Sequence, residues 1–169
     1  LNRFVKTTYF RLVHRHINIT PQHLPNGFKY SKVDKAKEAV EIANFLNQCY
    51  PYINQQPKKI LSWGQTPIFC STLWIWIKET VSGQPAALGI ADFDPTTKEG
   101  SLEWIQAHPQ YRRKKLGASV VNELLSRLSQ IADFSTVSGR VDNATRPDIL
   151  YRKCDFERAD IWWILTRNA

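Results

Sequence analysis

Apolar residues recur along this chain at two spacings, which predict helices and strands. After Asp34, a favourable N-cap residue, they recur every three or four positions, and this predicts an amphipathic helix. That helical stripe consists of Ala36, Ala39, Val40, Ala43 and Leu46. A second helix is predicted over residues 119–131, with an apolar stripe of Val120, Val121, Leu124, Leu125, Leu128 and Ile131, and with Asn122 on its polar face.

Runs rich in β-branched and aromatic residues predict the strands. They cover residues 28–33, 73–78, 85–93, 101–107, 134–141 and 160–166. Shorter helices are predicted near residues 58–63 and 147–154. The order of these elements gives three antiparallel strands, then a helix, a parallel strand, a helix and a final strand. The chain is therefore predicted to form a mixed α/β (α+β) sheet with helices on both faces.

Residues 1–27 differ from the rest of the chain and are predicted to be a basic N-terminal extension before a single domain at residues 28–169. They contain four Arg or Lys residues and no Asp or Glu. They also contain His14, His16 and His23, but no nearby Cys, Asp or Glu completes a metal-ligand set, so no metal site is predicted.

The net charge and the cysteine content indicate which binding partners and which cellular compartment to expect. A formal net charge of +8 over 169 residues favours anionic partners. The chain has three cysteines, an odd number without CxxC spacing. This favours a reduced, cytoplasmic setting over a disulfide framework. No apolar run reaches the roughly 18 residues of a membrane span, and no secretory leader is recognisable, so no membrane association is predicted.

A cationic loop between a predicted strand and a predicted helix carries the clearest chemical signal. Unpaired N–H groups and the positive end of a helix dipole favour a phosphate ligand at such a junction. The loop and the helix start that follows it consist of Arg112, Arg113, Lys114, Lys115, Leu116, Gly117 and Ala118. A solvated run of charge and a nucleic-acid contact are the alternatives, and the loop's position favours a polyphosphate such as a pyrophosphate.

Two motifs resemble the GNAT N-acetyltransferase superfamily. The loop from Arg112 to Ala118 is similar to that family's acyl-CoA motif Q/R-x-x-G-x-G/A, and residues 150–157 are similar to its C-terminal LYxKxGFE segment. Lys115 and Asp155 occupy positions where the family has Gly. Lys115 is tolerated there if its φ is negative, and its ammonium can partly compensate for the lost Gly. Asp155 is expected to occupy a turn that tolerates a left-handed backbone. The resemblance implies a GNAT-like acyl-CoA N-acyltransferase fold.

The resemblance also implies roles for individual residues. Tyr151 would be the general acid and Glu103, on the third strand of the meander, the general base. Backbone groups of Ile105, Gln106 and Ala107 would hold the pantetheine of coenzyme A. The loop residues Arg112 to Ala118 would hold its pyrophosphate, with Asn143 as a further cofactor contact.

Each of these roles has a structural alternative. Strand alternation places Glu103 on the face of Ile105 and Ala107, where a neighbouring Arg or the backbone could satisfy its carboxylate. Tyr151 could be a packing aromatic on its short helix. Asn143 could close a turn.

The implied activity is acetyl-CoA-dependent acetylation of a primary amine, in a small molecule or a peptide, by direct transfer in a ternary complex. A CoA-binding module without catalysis and a basic nucleic-acid-binding protein are the alternatives. The sequence does not identify the acceptor amine, and it leaves a homodimer open.

Overall fold

The computed structural model describes residues 4–19, 23–50 and 52–167, and these form one mixed sheet with helices on both faces. The strands are β1 (Phe4–His14), β2 (Phe28–Lys32), β3 (Trp74–Glu79), β4 (Pro85–Asp94), β5 (Glu99–Ala107), β6 (Phe134–Arg140) and β7 (Glu157–Arg167). The helices are α1 (Lys35–Cys49), α2 (Pro57–Trp63), α3 (Leu116–Leu128) and α4 (Pro147–Lys153), with 3₁₀ turns at Ser71–Leu73 and Pro109–Tyr111.

The strand order across the sheet is β2-β3-β4-β5-β6-β1-β7. All neighbouring strands are antiparallel except β5 and β6, which are parallel. The α/β fold class predicted from the order of elements is therefore confirmed. Among the described residues, no helix is long and apolar enough to cross a membrane.

The position of β1 differs from the sequence prediction. Residues 1–27 were predicted to lie outside the domain, yet β1 is an eleven-residue strand inserted between β6 and β7. Phe10 and Leu12 of β1 belong to the main hydrophobic core. Residues 1–3 and 20–22 of the same segment lie outside the described residues. Alternation of apolar and polar residues predicts a strand, but it does not say which strands lie beside it.

Each face of the sheet has its own core. One core lies under α3 and α4 and includes Ile75 and Leu124; the other lies under α1 and α2 and includes Ile42 and Trp76. Gly89 of β4 allows close approach on the first face, because a Cβ there would overlap a methyl group of Val120. Helices therefore cover both faces of the part of the sheet that contains the site described below.

Two helices deviate in detail from their predicted stripes. In α1, Asp34 caps the first turn as predicted, but Ala36 and Val40 are exposed while Ile42 and Phe45 are buried. The helix therefore faces the sheet through a stripe rotated from the predicted one. In α3, Asn122 was predicted on the polar face but is buried, and its side-chain amide is satisfied by donating to the backbone carbonyl of Ala118.

Candidate active site

The site lies where β5 and β6 separate. The two strands pair only from Glu99 with Phe134 to Leu102 with Val137. Beyond that point β5 continues to Ala107 and keeps its pairing with β4 on the opposite side. The backbone groups of β5 that face β6 are therefore available to a ligand over residues 104–107. An extended ligand can pair with that strand edge as a further strand would.

A cavity of about 270 Å³ occupies this opening and collects residues from distant parts of the chain. Its walls come from the end of α1, from β5, β6, the loop before α3, and α4. The predicted site residues that line it are Glu103, Ile105, Gln106, Ala107, Arg112, Gly117, Asn143 and Tyr151. The predicted residues Arg113, Lys114, Lys115, Leu116 and Ala118 belong to the adjoining loop and helix start and are not in the cavity wall.

The loop before α3 presents a helix N-terminus to this cavity. Lys115 is the N-cap residue, with φ 60° and ψ 9°, and its side chain makes no capping hydrogen bond. The first N–H groups of α3 therefore remain free for an anionic ligand. The condition of a negative φ at Lys115 is therefore not met. The backbone is left-handed there, a conformation in which an L-residue is strained and Gly is not. Asp155, with φ 60°, does occupy the left-handed turn predicted for it.

The four loop cations are not equivalent. Arg112 lines the cavity, whereas the Lys114 ammonium lies over the rings of Phe28 and Tyr111, 5.6 and 5.4 Å from their centroids. Such cation–π contacts hold a charge against the protein surface. Of the four loop cations, Arg112 is therefore the best placed for a ligand in the cavity.

Glu103 is the extra residue of a β-bulge. Trp104 pairs with Ile90 and Leu102 pairs with Ala91, so Glu103 has no residue opposite it on β4. Its exposed carboxylate accepts a hydrogen bond from the Ser101 hydroxyl at 2.5 Å. A bulge interrupts strand alternation and redirects a side chain. The predicted sharing of a face with Ile105 and Ala107 was therefore wrong, and the carboxylate is satisfied by a hydroxyl in place of the Arg or backbone that was considered.

Asp92 on β4 is a second carboxylate that sequence reasoning missed. Burial, and then the negative charge of Glu103, raise the pKa of Asp92 to about 6. A carboxyl group with this pKa exchanges protons near neutral pH. The available signal was an acid within the apolar run Ile90-Ala91-Asp92-Phe93, where a charged side chain is unusual.

Tyr151 lies on α4 and lines the cavity. Its ring packs against Phe10 and Phe156, with centroids 6.4 and 5.8 Å apart. Burial raises the pKa of the Tyr151 phenol, so the hydroxyl keeps its proton at neutral pH. The residue therefore combines the packing role, which was its alternative interpretation, with a position in the cavity wall.

Polar and aromatic side chains complete the wall. The Gln106 amide donates to the Tyr50 hydroxyl at 2.6 Å, which links β5 to the end of α1. Trp104 stacks on Trp63 with ring centroids 5.5 Å apart. Asn143 accepts hydrogen bonds from both the backbone N–H and the hydroxyl of Thr145, so it closes a turn as well as lining the cavity. The turn at Asn143 is the alternative that its residue type suggested, whereas the other two contacts join distant positions and have no local sequence motif.

Two thiols near the cavity are held in the neutral form. Cys49 lines the cavity, and burial raises the pKa of its thiol to about 11. Burial likewise raises the pKa of Cys154 to about 11. A nucleophilic cysteine needs a lowered pKa, so neither thiol is activated. Among the described residues, no group of three or more His, Cys, Asp or Glu side chains could hold a metal ion.

Comparison with known proteins identifies the fold. No protein-family model matches the sequence, and a comparison with curated proteins gives no match either. Solved structures do match. A GCN5-related N-acetyltransferase from Sphaerobacter thermophilus has a TM-score of 0.79 at 14% identity, over 99% of this chain and 52% of that chain. This chain thus spans about half the length of that protein.

Two shorter structures match over less of this chain. The ribosomal-protein-S18-alanine N-acetyltransferase from Escherichia coli has a TM-score of 0.63 at 17% identity, over 83% of this chain and 93% of that chain. Ard1 from Thermoplasma volcanium has a TM-score of 0.65 at 13% identity, over 83% of this chain and 97% of that chain. The chain described here has the fold of the GCN5-related N-acetyltransferases.

Proposed function

We propose that this protein transfers an acetyl group from acetyl-CoA to a primary amine. One observation carries the proposal: the opening between β5 and β6, the uncapped start of α3, Glu103 and Tyr151 meet at a single cavity. These four features come from different parts of the chain, and each of them would have a role in acyl transfer. The N-acetyltransferases that share the fold support the same activity.

The donor fits the groups that surround the cavity. The free edge of β5 suits the amide-containing pantetheine arm, and the start of α3 with Arg112 suits a pyrophosphate. Acetyl-CoA would supply the thioester whose acetyl group is transferred. Backbone N–H groups of β5 would orient its carbonyl, and preorganised donors of this kind stabilise developing negative charge. Asn143 lies at the same cavity as a further polar contact.

The acceptor amine must lose a proton, and two carboxylates can take it. Glu103 lines the cavity, and Asp92 is close enough for the charge of Glu103 to raise its pKa. We assign the base to Glu103 because its side chain is exposed to the cavity. Asp92 would then accept or return the proton near neutral pH.

Tyr151 would donate its phenolic proton to the leaving sulfur. Its neutral hydroxyl is held by ring packing at the cavity wall. Since Cys49 and Cys154 are neutral thiols, they support transfer directly to the amine without an acyl-cysteine. Binding donor and amine together makes the transfer effectively intramolecular. All three cysteines are free, which favours a reducing compartment such as the cytoplasm.

The test of the catalytic assignment is thiol release with a panel of amines and peptides. Tyr151→Phe should lower kcat by roughly 10²- to 10⁴-fold, the usual contribution of a positioned general acid. The KM for acetyl-CoA should change much less, because the lost interaction belongs to the transition state. Tyr52→Phe is the matched control, since Tyr52 is 97% exposed and does not line the cavity. Near-wild-type turnover by Tyr151→Phe would show that the residue only packs.

A second measurement separates donor binding from catalysis. Acetyl-CoA should stabilise the wild-type protein by about 2.7 kcal/mol at a hundred times its Kd, and Gly117→Trp should abolish this shift by filling the cavity wall. Binding without transfer to any amine would identify a CoA-binding module. Binding to nucleic acid that weakens steeply with salt and does not respond to CoA would identify the third alternative.

A further inference from the structure

The edge strand β7 has the largest run of exposed apolar residues among the described parts of the chain. Its eleven residues are all exposed. Five consecutive apolar side chains, from Ile161 to Leu165, are each 50–62% exposed. Soluble proteins rarely expose contiguous apolar patches of this kind unless the patch binds something.

The backbone of β7 is equally unprotected. It pairs with β1 on one side, and no strand within the described residues pairs with its other side. Natural edge strands are usually short or carry lysine, proline or a bulge. The opposite edge strand, β2, follows that pattern: it has five residues and includes Lys29 and Lys32. In β7 the only irregularity lies near its start, where Arg158 has φ 63°, so the apolar run is regular.

We propose that β7 pairs with β7 of a second copy of this chain, antiparallel and about a two-fold axis perpendicular to the sheet. This inference goes beyond the proposed activity. Such an axis preserves the faces of the sheet, so one residue lies opposite itself and the sheet continues through both copies. With Trp163 on the axis, Ile161 lies opposite Leu165 and Trp162 lies opposite Ile164.

This register makes the run complementary to itself. Every apolar residue from 161 to 165 meets an apolar residue of the partner, while Asp160 lies opposite Thr166. Cross-strand pairs of aromatic and β-branched residues are the favourable pairs of antiparallel sheets. The edge N–H and C=O groups of both copies become paired at the same time. A strand of a different protein would need its own apolar run of the same length to pair in this way. A second copy of this chain has that run by symmetry.

The exposed apolar surface adds to what the paired main chains contribute. The two tryptophans, of roughly 150–250 Å² each and about half exposed, offer roughly 200 Å² per copy. Ile161, Ile164 and Leu165 add further apolar surface, and strand pairing covers the part of it that faces the partner.

The first test is the mass in solution by light scattering. The wild-type protein should have about twice the 19.6 kDa mass of one chain at micromolar concentration. Trp163→Lys places two ammonium groups at the axis and should give the single-chain mass with an unchanged circular dichroism spectrum. Val81→Lys is the matched control, because Val81 is 96% exposed in the β3–β4 turn, and it should stay dimeric. A monomeric wild type, or a dimer that survives Trp163→Lys, overturns the proposal.

Disulfide trapping tests the register. Trp163→Cys should form a covalent dimer on mild oxidation, because the two thiols face each other across the axis. Val81→Cys should not, and the wild type should not either, since Cys49 and Cys154 are buried and Cys70 is partly buried. Cross-linking confined to Trp163→Cys supports the two-fold pairing of β7. Equal cross-linking of both cysteine variants, or of neither, overturns it.

Discussion

β3 and β7 each contain two tryptophans and two isoleucines in succession, yet the two runs lie in very different environments. In β3, residues 74–77 are at most 1% exposed; in β7, residues 161–164 are 50–59% exposed. β3 lies between β2 and β4, and its side chains alternate between the two cores. β7 has one neighbouring strand, and none of its residues belongs to either core. Similar residue composition therefore favours a strand in both places. Whether the side chains of that strand stabilise the monomer depends on the strands and helices that pack against it.

The largest expected difference in the free energy of unfolding is between the variants Trp76→Ala and Trp162→Ala. Trp76 is fully buried, so its truncation should lower the free energy of unfolding by about 3–5 kcal/mol. Trp162→Ala should lower it by less than about 1 kcal/mol, because the side chain is already half in water. Urea unfolding checks both, in an Ile164→Lys background that keeps copies apart. Equal losses would show that β7 is covered within the monomer.

On β4, in the part of the sheet that helices cover, Asp92 should make the free energy of unfolding depend on pH. Its pKa is about 6 in the folded protein, above the ordinary 3.8, so the folded state binds more protons between these values. The free energy of unfolding should therefore fall as pH rises from about 4 to 6. Asp92→Asn should be more stable than wild type at pH 7 by roughly 1–2 kcal/mol, allowing for partial exposure. The two proteins should be alike at pH 4, and a constant difference at all pH values would contradict the assignment.

The smallest expected effect compares two lysines that both have a positive φ but lie in different parts of the fold. Lys115 has φ 60° before α3 and Lys98 has φ 55° in the β4–β5 turn. Replacement of either by Gly should raise the free energy of unfolding by up to about 1 kcal/mol, because Gly is unstrained there. Only Lys115→Gly can alter acetyl-CoA affinity, and we expect that affinity to be kept or improved. A large loss, measured by calorimetry, would make the Lys115 ammonium a phosphate ligand.

Most elements could be predicted from the sequence because their signals are local. The β3–β4–β5 meander, α1 after Asp34 and the cationic loop before α3 all lie where spacing and turn residues placed them. The presence of Glu103 and Tyr151 at one cavity agrees with the resemblance, although their catalytic roles stay predictions.

The remaining features depend on contacts between distant segments. The bulge that redirects Glu103 exists only in the pairing of β5 with β4. The pKa of Asp92 is raised by burial and by the charge of Glu103, and the periodicity of the sequence does not predict either of them. Lys115 takes a left-handed conformation that its residue type disfavours. The place of β1 follows from pairing with strands more than a hundred positions away, which no local window contains.

The insertion of β1 has a consequence for how the molecule assembles. Phe4 pairs with Arg167 and Tyr9 pairs with Arg140, so the sheet closes only after the residues up to β7 have been synthesised. Contacts of such long sequence separation slow folding, because loop-closure entropy is lost before the contacts form. Until β1 enters, β6 is an open edge and β7 has no strand to pair with. Pairing of β1 with β6, and then of β7 with β1, closes strand edges that would otherwise be open to aggregation.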